Sequence, residues 1–199
     1  MPDSLAWDAA VDRKYIYGID HGVLYLRNSA GTGYDSGIPW NGLTQIQLNP
    51  TGGEPNKIRA DNLVYCTLYS PEEMGGTITA YNAPDEFNAC DGRLAVTGTD
   101  TWVAGQERKP CAIGFRAKTG NAASGDAGYE VVYLYGCYVS PSDRTYETIG
   151  ETPTPQQLSW SFTSIGEVIS GIKNPVSMMI VRGANVDVQQ TLPMPTPVT

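Results

Sequence analysis

The sequence predicts a mainly β protein, an antiparallel sandwich or barrel with one short flanking α-helix. Apolar and polar residues alternate in several segments, most regularly at residues 158–163 and 111–118. The 22 glycines and 14 prolines interrupt the chain throughout, as expected of short strands joined by turns. Because no long segment has apolar residues at helical spacing, a helical fold is excluded.

Strands are predicted along most of the chain. The first two signals, residues 14–20 and 23–26, flank His21-Gly22, which is typical of a tight hairpin or a bulge. The later signals are residues 43–48, 62–69, 77–81, 101–105, 111–118, 129–139, 158–163 and 175–182. Residues 129–139 are apolar or aromatic on both faces, so both faces of that strand must be covered.

Three segments are predicted to be something other than strand. Residues 83–90 are the best helix candidate, because Pro84 opens the segment, acidic residues follow it and Gly92 ends it. Residues 70–73 match a second helix start, which Gly75-Gly76 ends at once. Residues 49–57 contain proline near both ends and two glycines, which indicates a long polar loop.

Composition limits the classes of function. The formal net charge of −8 disfavours tight binding of nucleic acid through bulk charge. Charged residues make up only 17% of the chain, which fits a surface largely covered by partners. The N-terminal residues do not have the pattern of a signal peptide, and no apolar run approaches the roughly 18 residues of a membrane span. We therefore expect folding in a cytoplasm, with four free and mostly buried cysteines.

Catalytic and metal-binding patterns are weak. His21 is the single histidine, so a histidine-based nucleophilic site would have to use it, and its place in a turn does not favour that role. The glycines of residues 31–37 lack the dinucleotide-binding spacing and the following helix. The cysteines are far apart in sequence, and the aspartates lack calcium-loop spacing. We expect no enzyme activity, no cofactor and no metal.

Short blocks of sequence, taken together and in order, resemble the major tail proteins of long-tailed, non-contractile bacteriophages of Gram-positive hosts, the tail tube family. The blocks are residues 17–25, 40–44, 52–54, 60–62, 76–81, 84–87, 90–92, 105–106, 128–129, 135–136, 141–142 and 159–160. They span about residues 15–165, and the segment 172–188 matches only loosely.

The resemblance implies two packed sheets and a short helix, here residues 84–90. It implies a virion protein, assembled in the host cytoplasm, whose copies form hexameric rings that stack into a tube for DNA ejection. Its partners would be further copies of itself, the tape measure protein and the tail tip and terminator proteins. DNA would pass through the lumen without specific binding, and no membrane would be bound. Strands apolar on both faces, such as residues 129–139, could then be covered by neighbouring copies.

Three working parts follow from this resemblance as hypotheses, within a β domain of residues 14–189. The loop 49–57 would contact the adjacent ring, through Asn49, Pro50, Thr51, Gly52, Gly53, Glu54, Pro55, Asn56 and Lys57. The N-terminal arm, residues 1–13, would anchor a neighbour through Trp7, or would be a loose terminus. Five small polar residues would face the lumen, or alternatively ordinary solvent: Thr77, Thr79, Ser159, Ser161 and Thr163. Residues 190–199 are predicted to be a flexible tail.

Other classes of function stay open at this stage. A carbohydrate-binding β-sandwich would use Tyr15, Tyr17, Trp40, Trp102 and Trp160 as stacking faces. A capsid decoration protein, or another virion protein with a similar sandwich, is a closer alternative. A hydrolase would need a base besides His21.

Overall fold

A computed structural model describes residues 9–149 and 154–195. Within these ranges the chain forms twelve strands and one 3-10 helix, Asp85–Ala89. The strands are β1 (Lys14–Leu26), β2 (Ile38–Trp40), β3 (Leu43–Gly52), β4 (Pro55–Ala60), β5 (Leu63–Tyr69), β6 (Glu72–Ala80), β7 (Arg93–Val96), β8 (Thr101–Ala104), β9 (Cys111–Asn121), β10 (Gly128–Val139), β11 (Leu158–Ser164) and β12 (Met178–Gly183). No helix among them is long and apolar enough to cross a lipid bilayer.

Eight strands form one antiparallel sheet, in the order β2-β1-β9-β10-β11-β6-β3, with β12 also paired to β10. The prediction of a mainly β, antiparallel fold is confirmed. Two further sheets are two-stranded hairpins, β4–β5 and β7–β8. Each hairpin has no ladder partner in the described part of the chain beyond its own two strands.

The large sheet folds over itself at β10. The first part of this strand, Tyr129 to Leu134, pairs with β12, whereas Cys137 to Val139 pair with β11. The ladder shifts between Leu134 and Cys137, and Gly136 there has a positive φ of 57°. Such a bulge bends and twists a strand, which sends the second half of the sheet across the first.

The main core fills the space between the two halves of the sheet. Its centre is an aromatic cluster in which the rings of Trp40 and Phe87 lie 4.6 Å apart and those of Phe87 and Trp160 lie 5.1 Å apart. Aliphatic side chains from both halves, including Leu24, Ile113 and Ile78, surround this cluster. The prediction for residues 158–162 is confirmed, since buried Trp160 and Phe162 alternate with exposed serines. In residues 111–117 the predicted inward residues are buried, but Ala112 and Gly114 between them are buried as well.

The predicted α-helix at residues 83–90 is wrong in type. The segment is a 3-10 helix of five residues, preceded by extended Pro84, and its function is to hold Phe87 in the aromatic cluster. The acidic residues after Pro84 do favour a helix start, but one turn is too short to propagate an α-helix.

A second apolar cluster lies on the opposite face of β1, β9 and β10. Residues 184–193, which we call the C-terminal strap, cover it together with β12. The strap has no strand ladder and is held by tyrosine hydroxyls. Tyr25 donates to the carbonyl of Gln189, and Tyr135 donates to that of Pro193 at 2.6 Å. The second face of β10 is therefore covered by the same chain, and the expectation that neighbours cover it is wrong.

Gln190 is part of this packed strap, since its carbonyl accepts a hydrogen bond from Gly37 at 2.6 Å. Leu192, two residues later, is buried in the second cluster. The predicted boundary of a flexible tail at residue 190 thus falls inside a segment that is packed against the sheet as far as Pro193.

Three local predictions are decided by the strand bounds. His21 lies in a bulge of the continuous strand β1, with a positive φ of 48°, and not in a hairpin. The predicted polar loop 49–57 is wrong, because residues 49–52 end β3 and residues 55–57 begin β4. The helix start at residues 70–73 is also wrong, because β6 begins at Glu72.

Candidate assembly interface

The hairpin β4–β5 and its flanking residues, 53–71, extend from the ends of β3 and β6, and we call this segment the arm. Gly52 and Glu72 are the last paired residues of β3 and β6, so the arm continues the hairpin that these strands form. Its turn contains Asp61 and Asn62, both with positive φ, as a tight two-residue hairpin turn requires.

The arm is apolar and uncovered. Leu63 is 71% exposed, Tyr65 76% and Tyr69 71%, and Ile58 and Leu68 are also exposed. Cross-strand pairing places Ile58 opposite Cys66 and Asn56 opposite Leu68, so one face of the arm is mostly apolar. Lys57, opposite Thr67, points to the other face. A two-stranded hairpin with uncovered apolar side chains is marginal by itself and favours a partner.

The outer face of β3, β6 and β11 is polar, and we call it the polar face. The strand register aligns Ser161 with Thr77, and Thr77 with Gln47, in one row across the three strands. The nine residues of the face are Gln45, Gln47, Asn49, Gly75, Thr77, Thr79, Ser159, Ser161 and Thr163. None carries a charge, and each is exposed or half-buried.

All five residues predicted to face a lumen lie on this polar face. The sequence analysis missed the contribution of β3, namely Gln45, Gln47 and Asn49. The alternation of residues 43–48 was the available signal, but without the register nothing placed that strand beside Thr77. Glu73, opposite Thr51, borders the face at its arm end and is the nearest acidic residue along β6.

The strand β3 is an edge of the large sheet. Within the described residues its ladder partner is β6, and its other side has no paired strand. Unpaired N–H and C=O groups along such an edge are a template for a strand from another molecule. Pro50 has no N–H to donate, so it weakens the pairing capacity of this edge, but only near the arm.

An ion-pair cluster ties the C-terminal strap to β1 and β9. Arg116 donates to Asp20 at 2.7 Å and to Asp187 at 3.2 Å, and the Nδ1 atom of His21 lies 2.9 Å from Asp187. The hydrogen bond from Arg116 outweighs partial burial and lowers the pKa of Asp20. Burial raises the pKa of Asp187, but the hydrogen bonds from His21 and the Val188 amide, with the charge of Arg116, lower it overall.

This cluster predicts a loss of stability in acid. Both aspartates have a lower pKa in the folded protein than in the unfolded chain, so their contribution is complete at neutral pH and is lost as pH falls below about 5. We expect Asp187→Asn to lower the free energy of unfolding at pH 7 and to flatten its decrease towards pH 3. Urea unfolding at several pH values measures this, with the exposed Asp143→Asn as control. Equal acid sensitivity of wild type and Asp187→Asn would contradict the prediction.

The other sequence-based candidates are placed as follows. Trp7 and the rest of residues 1–8 lie outside the described residues, so the N-terminal anchor stays a prediction. Among the proposed sugar-stacking residues, Trp40 and Trp160 are buried in the core and present no free face, whereas Tyr15, Tyr17 and Trp102 are exposed.

The cysteines are free thiols, three of them fully buried. The hydrogen bond with Cys90, followed by burial, raises the pKa of the Cys111 thiol well above its usual value, which makes it a poor nucleophile. In the part of the chain that the structure describes, no group of His, Cys, Asp or Glu side chains is arranged to hold a metal ion.

The arm, the polar face and the open edge of β3 are uncovered surfaces, and an open edge and exposed apolar side chains are features that favour association with another molecule. The comparisons with known proteins do not name such an association. No protein-family model matches this chain. No curated protein matches it either.

Proposed function

We propose that this chain is a structural virion protein whose copies assemble into the stacked rings of a bacteriophage tail tube. In this proposal the fold is of the tail tube type, the protein is not an enzyme and it needs no cofactor. Its partners are copies of itself along the tube, with the tape measure protein inside and the tail tip and terminator proteins at the ends. DNA passes through the lumen during ejection.

One observation carries the proposal: an uncharged polar face lies on three strands that end at an open edge. A strand edge that pairs with the next copy would extend this sheet from molecule to molecule. Closing such a sheet into a cylinder removes all edges and gives the cylinder one continuous inner face. An inner face without basic side chains offers no ion pairs to phosphates, so DNA could move past it without adhering.

The arm supports the same proposal from a different part of the molecule. It projects from the ends of β3 and β6, with six exposed large apolar side chains. In this proposal the arm contacts a copy in the next ring. Contact with the adjacent ring was predicted for residues 49–57, but residues 49–52 belong to β3 in the large sheet. In this proposal the contact is therefore made by residues nearer the tip of the arm.

The proposal is tested by electron microscopy of the purified protein at high concentration. Hollow tubes of uniform diameter, with a regular axial repeat, are expected. Since assembly can require a nucleus, the same measurement is repeated with tail tip proteins as seeds. A protein that stays monomeric in both conditions contradicts the proposal.

The position of the polar face is tested separately by thiol labelling. We expect Ser161→Cys, in a Cys66→Ser background, to react with a maleimide carrying a long polyethylene glycol chain in the monomer but not in assembled tubes, because the bulky reagent cannot enter a lumen. A small maleimide is the control and should react in both states. Rapid bulky labelling of intact tubes would place this face outside the lumen.

A further inference from the structure

Three of the four cysteines lie together in the main core. Cys90, Cys111 and Cys137 are fully buried in the same cluster of apolar side chains. Cys111 and Cys137 lie opposite each other in the β9–β10 ladder, and the thiol of Cys111 is hydrogen-bonded to that of Cys90. The proposed function uses none of these thiols. Two thiols in contact can form a disulfide once an oxidant accepts two electrons from them.

The backbone brings Cys90 and Cys111 together independently of their side chains. The Lys109 amide donates to the carbonyl of Ala89 at 3.0 Å, so the two chain segments that lead into these cysteines are in direct contact. A disulfide joins Cα atoms about 4.4–6.8 Å apart and tolerates little distortion. Because the two thiols are already hydrogen-bonded, a short approach of their sulfur atoms is enough to form one.

The segment that carries Cys90 opens more readily than the strand that carries Cys137. Cys90 follows a single 3-10 turn, Asp85–Ala89, that lies outside the sheets. Cys137 lies within β10, which is paired there with both β9 and β11, and its thiol donates to the Tyr135 carbonyl at 3.8 Å. A segment with few backbone hydrogen bonds opens locally at a lower free energy than a strand paired on both sides. A small oxidant therefore reaches Cys90 first.

We propose that Cys90 and Cys111 are a modification site that reacts with low-molecular-weight disulfides and becomes an intramolecular disulfide. The Cys90 thiolate attacks one sulfur of the small disulfide, which forms a mixed disulfide and releases one small thiol. The Cys111 thiolate then attacks the Cys90 sulfur, and the second small thiol leaves. In total the two protein thiols lose two electrons and two protons, and the two released thiols carry them away.

The disulfide closes residues 91–110 into a covalent loop that contains the β7–β8 hairpin. The base of this loop is already held in place, since the Gln106 amide donates to the Gly92 carbonyl at 3.0 Å and Arg93 pairs with Asp91 at 3.2 Å. A cross-link of this kind restricts the unfolded chain and so stabilises the folded one. The protein therefore gains stability when it passes from a reducing to an oxidising environment. This gain does not depend on assembly into tubes.

Peptide mapping after oxidation tests the site. The Cys66→Ser protein is incubated in its folded state with oxidised glutathione, its remaining thiols are blocked in urea, and it is digested with trypsin without reduction. Trypsin leaves Cys90 in residues 60–93, Cys111 in residues 109–116 and Cys137 in residues 119–144, so each peptide of this variant contains a single cysteine. We expect residues 60–93 to be disulfide-linked to residues 109–116 in most of the protein. A link of either peptide to residues 119–144 overturns the proposal, and so does the absence of any link in the folded protein.

Urea unfolding gives a second readout. We expect oxidation to raise the urea midpoint of the Cys66→Ser protein by about 1 M, and a reducing agent to reverse the rise. Cys137→Ala, the matched control in the same background, should keep both the link and the rise, whereas Cys111→Ala should lose both. Circular dichroism checks that each variant is folded. Because a core variant can fail to fold, the deciding comparison is that of the oxidised and reduced Cys66→Ser protein, and equal midpoints there overturn the stabilising role of the disulfide.

Discussion

Replacing the arm with a short turn is expected to abolish assembly while leaving a folded monomer. Residues 53–71 would be exchanged for Asn-Gly, which forms the tight turn that a two-residue hairpin requires. The exchange is geometrically simple because Gly52 and Glu72 already pair as the end of the β3–β6 ladder. Assembly is lost in this prediction because the exposed apolar side chains of the arm have been removed.

The monomer should tolerate this exchange. The arm contributes no residue to either core cluster, so its removal exposes no apolar surface of the body. We expect the free energy of unfolding to change by less than about 1 kcal/mol. Urea unfolding followed by tryptophan fluorescence measures stability, and negative-stain microscopy measures assembly. Normal tubes from the armless protein would refute the role of the arm, and an unfolded product would show that the arm is part of the core.

Trp160→Ala is expected to have the largest effect on stability. The side chain is fully buried, and its ring lies 5.1 Å from Phe87 and 6.0 Å from Trp40. Truncation leaves a cavity at the point where the two halves of the sheet meet, with a cost of about 3–5 kcal/mol. The matched control is Ser161→Ala, the next residue on the polar face, for which we expect a change within about 0.5 kcal/mol. Similar effects of the two substitutions would mean that the aromatic cluster does not hold the layers together.

The sequence predicted well those strands in which one face is buried. Trp160 and Phe162 alternate with serines because one face of β11 packs against the core and the other does not. An alternation of apolar and polar residues with period two indicates such a strand. It also placed Ser161 and Thr77 on outward faces. It could not show that these two residues are neighbours, because register between strands distant in sequence depends on tertiary packing.

The failures have physical causes as well. Pro50 and Pro55 suggested a loop, but Pro50 lies on an edge strand, where a missing N–H disrupts little, and Pro55 is the first residue of β4. Residues 62–69, in the second half of the arm, were predicted as a strand, and they carry apolar residues on both faces, a pattern that by itself indicates burial. In the structure those side chains are exposed, and the proposed contact with a second copy would cover them.

The C-terminal strap has a consequence for the order of events during synthesis. The tyrosines of β1 and β10 emerge from the ribosome first, but the segment that shields them follows more than forty residues after the end of β10. Until that segment has been synthesised, a nascent chain exposes the apolar face of β1, β9 and β10 that the strap covers. Chaperones or other nascent chains can bind to this face. Covering of this apolar surface is thereby coupled to the synthesis of residues 184–193.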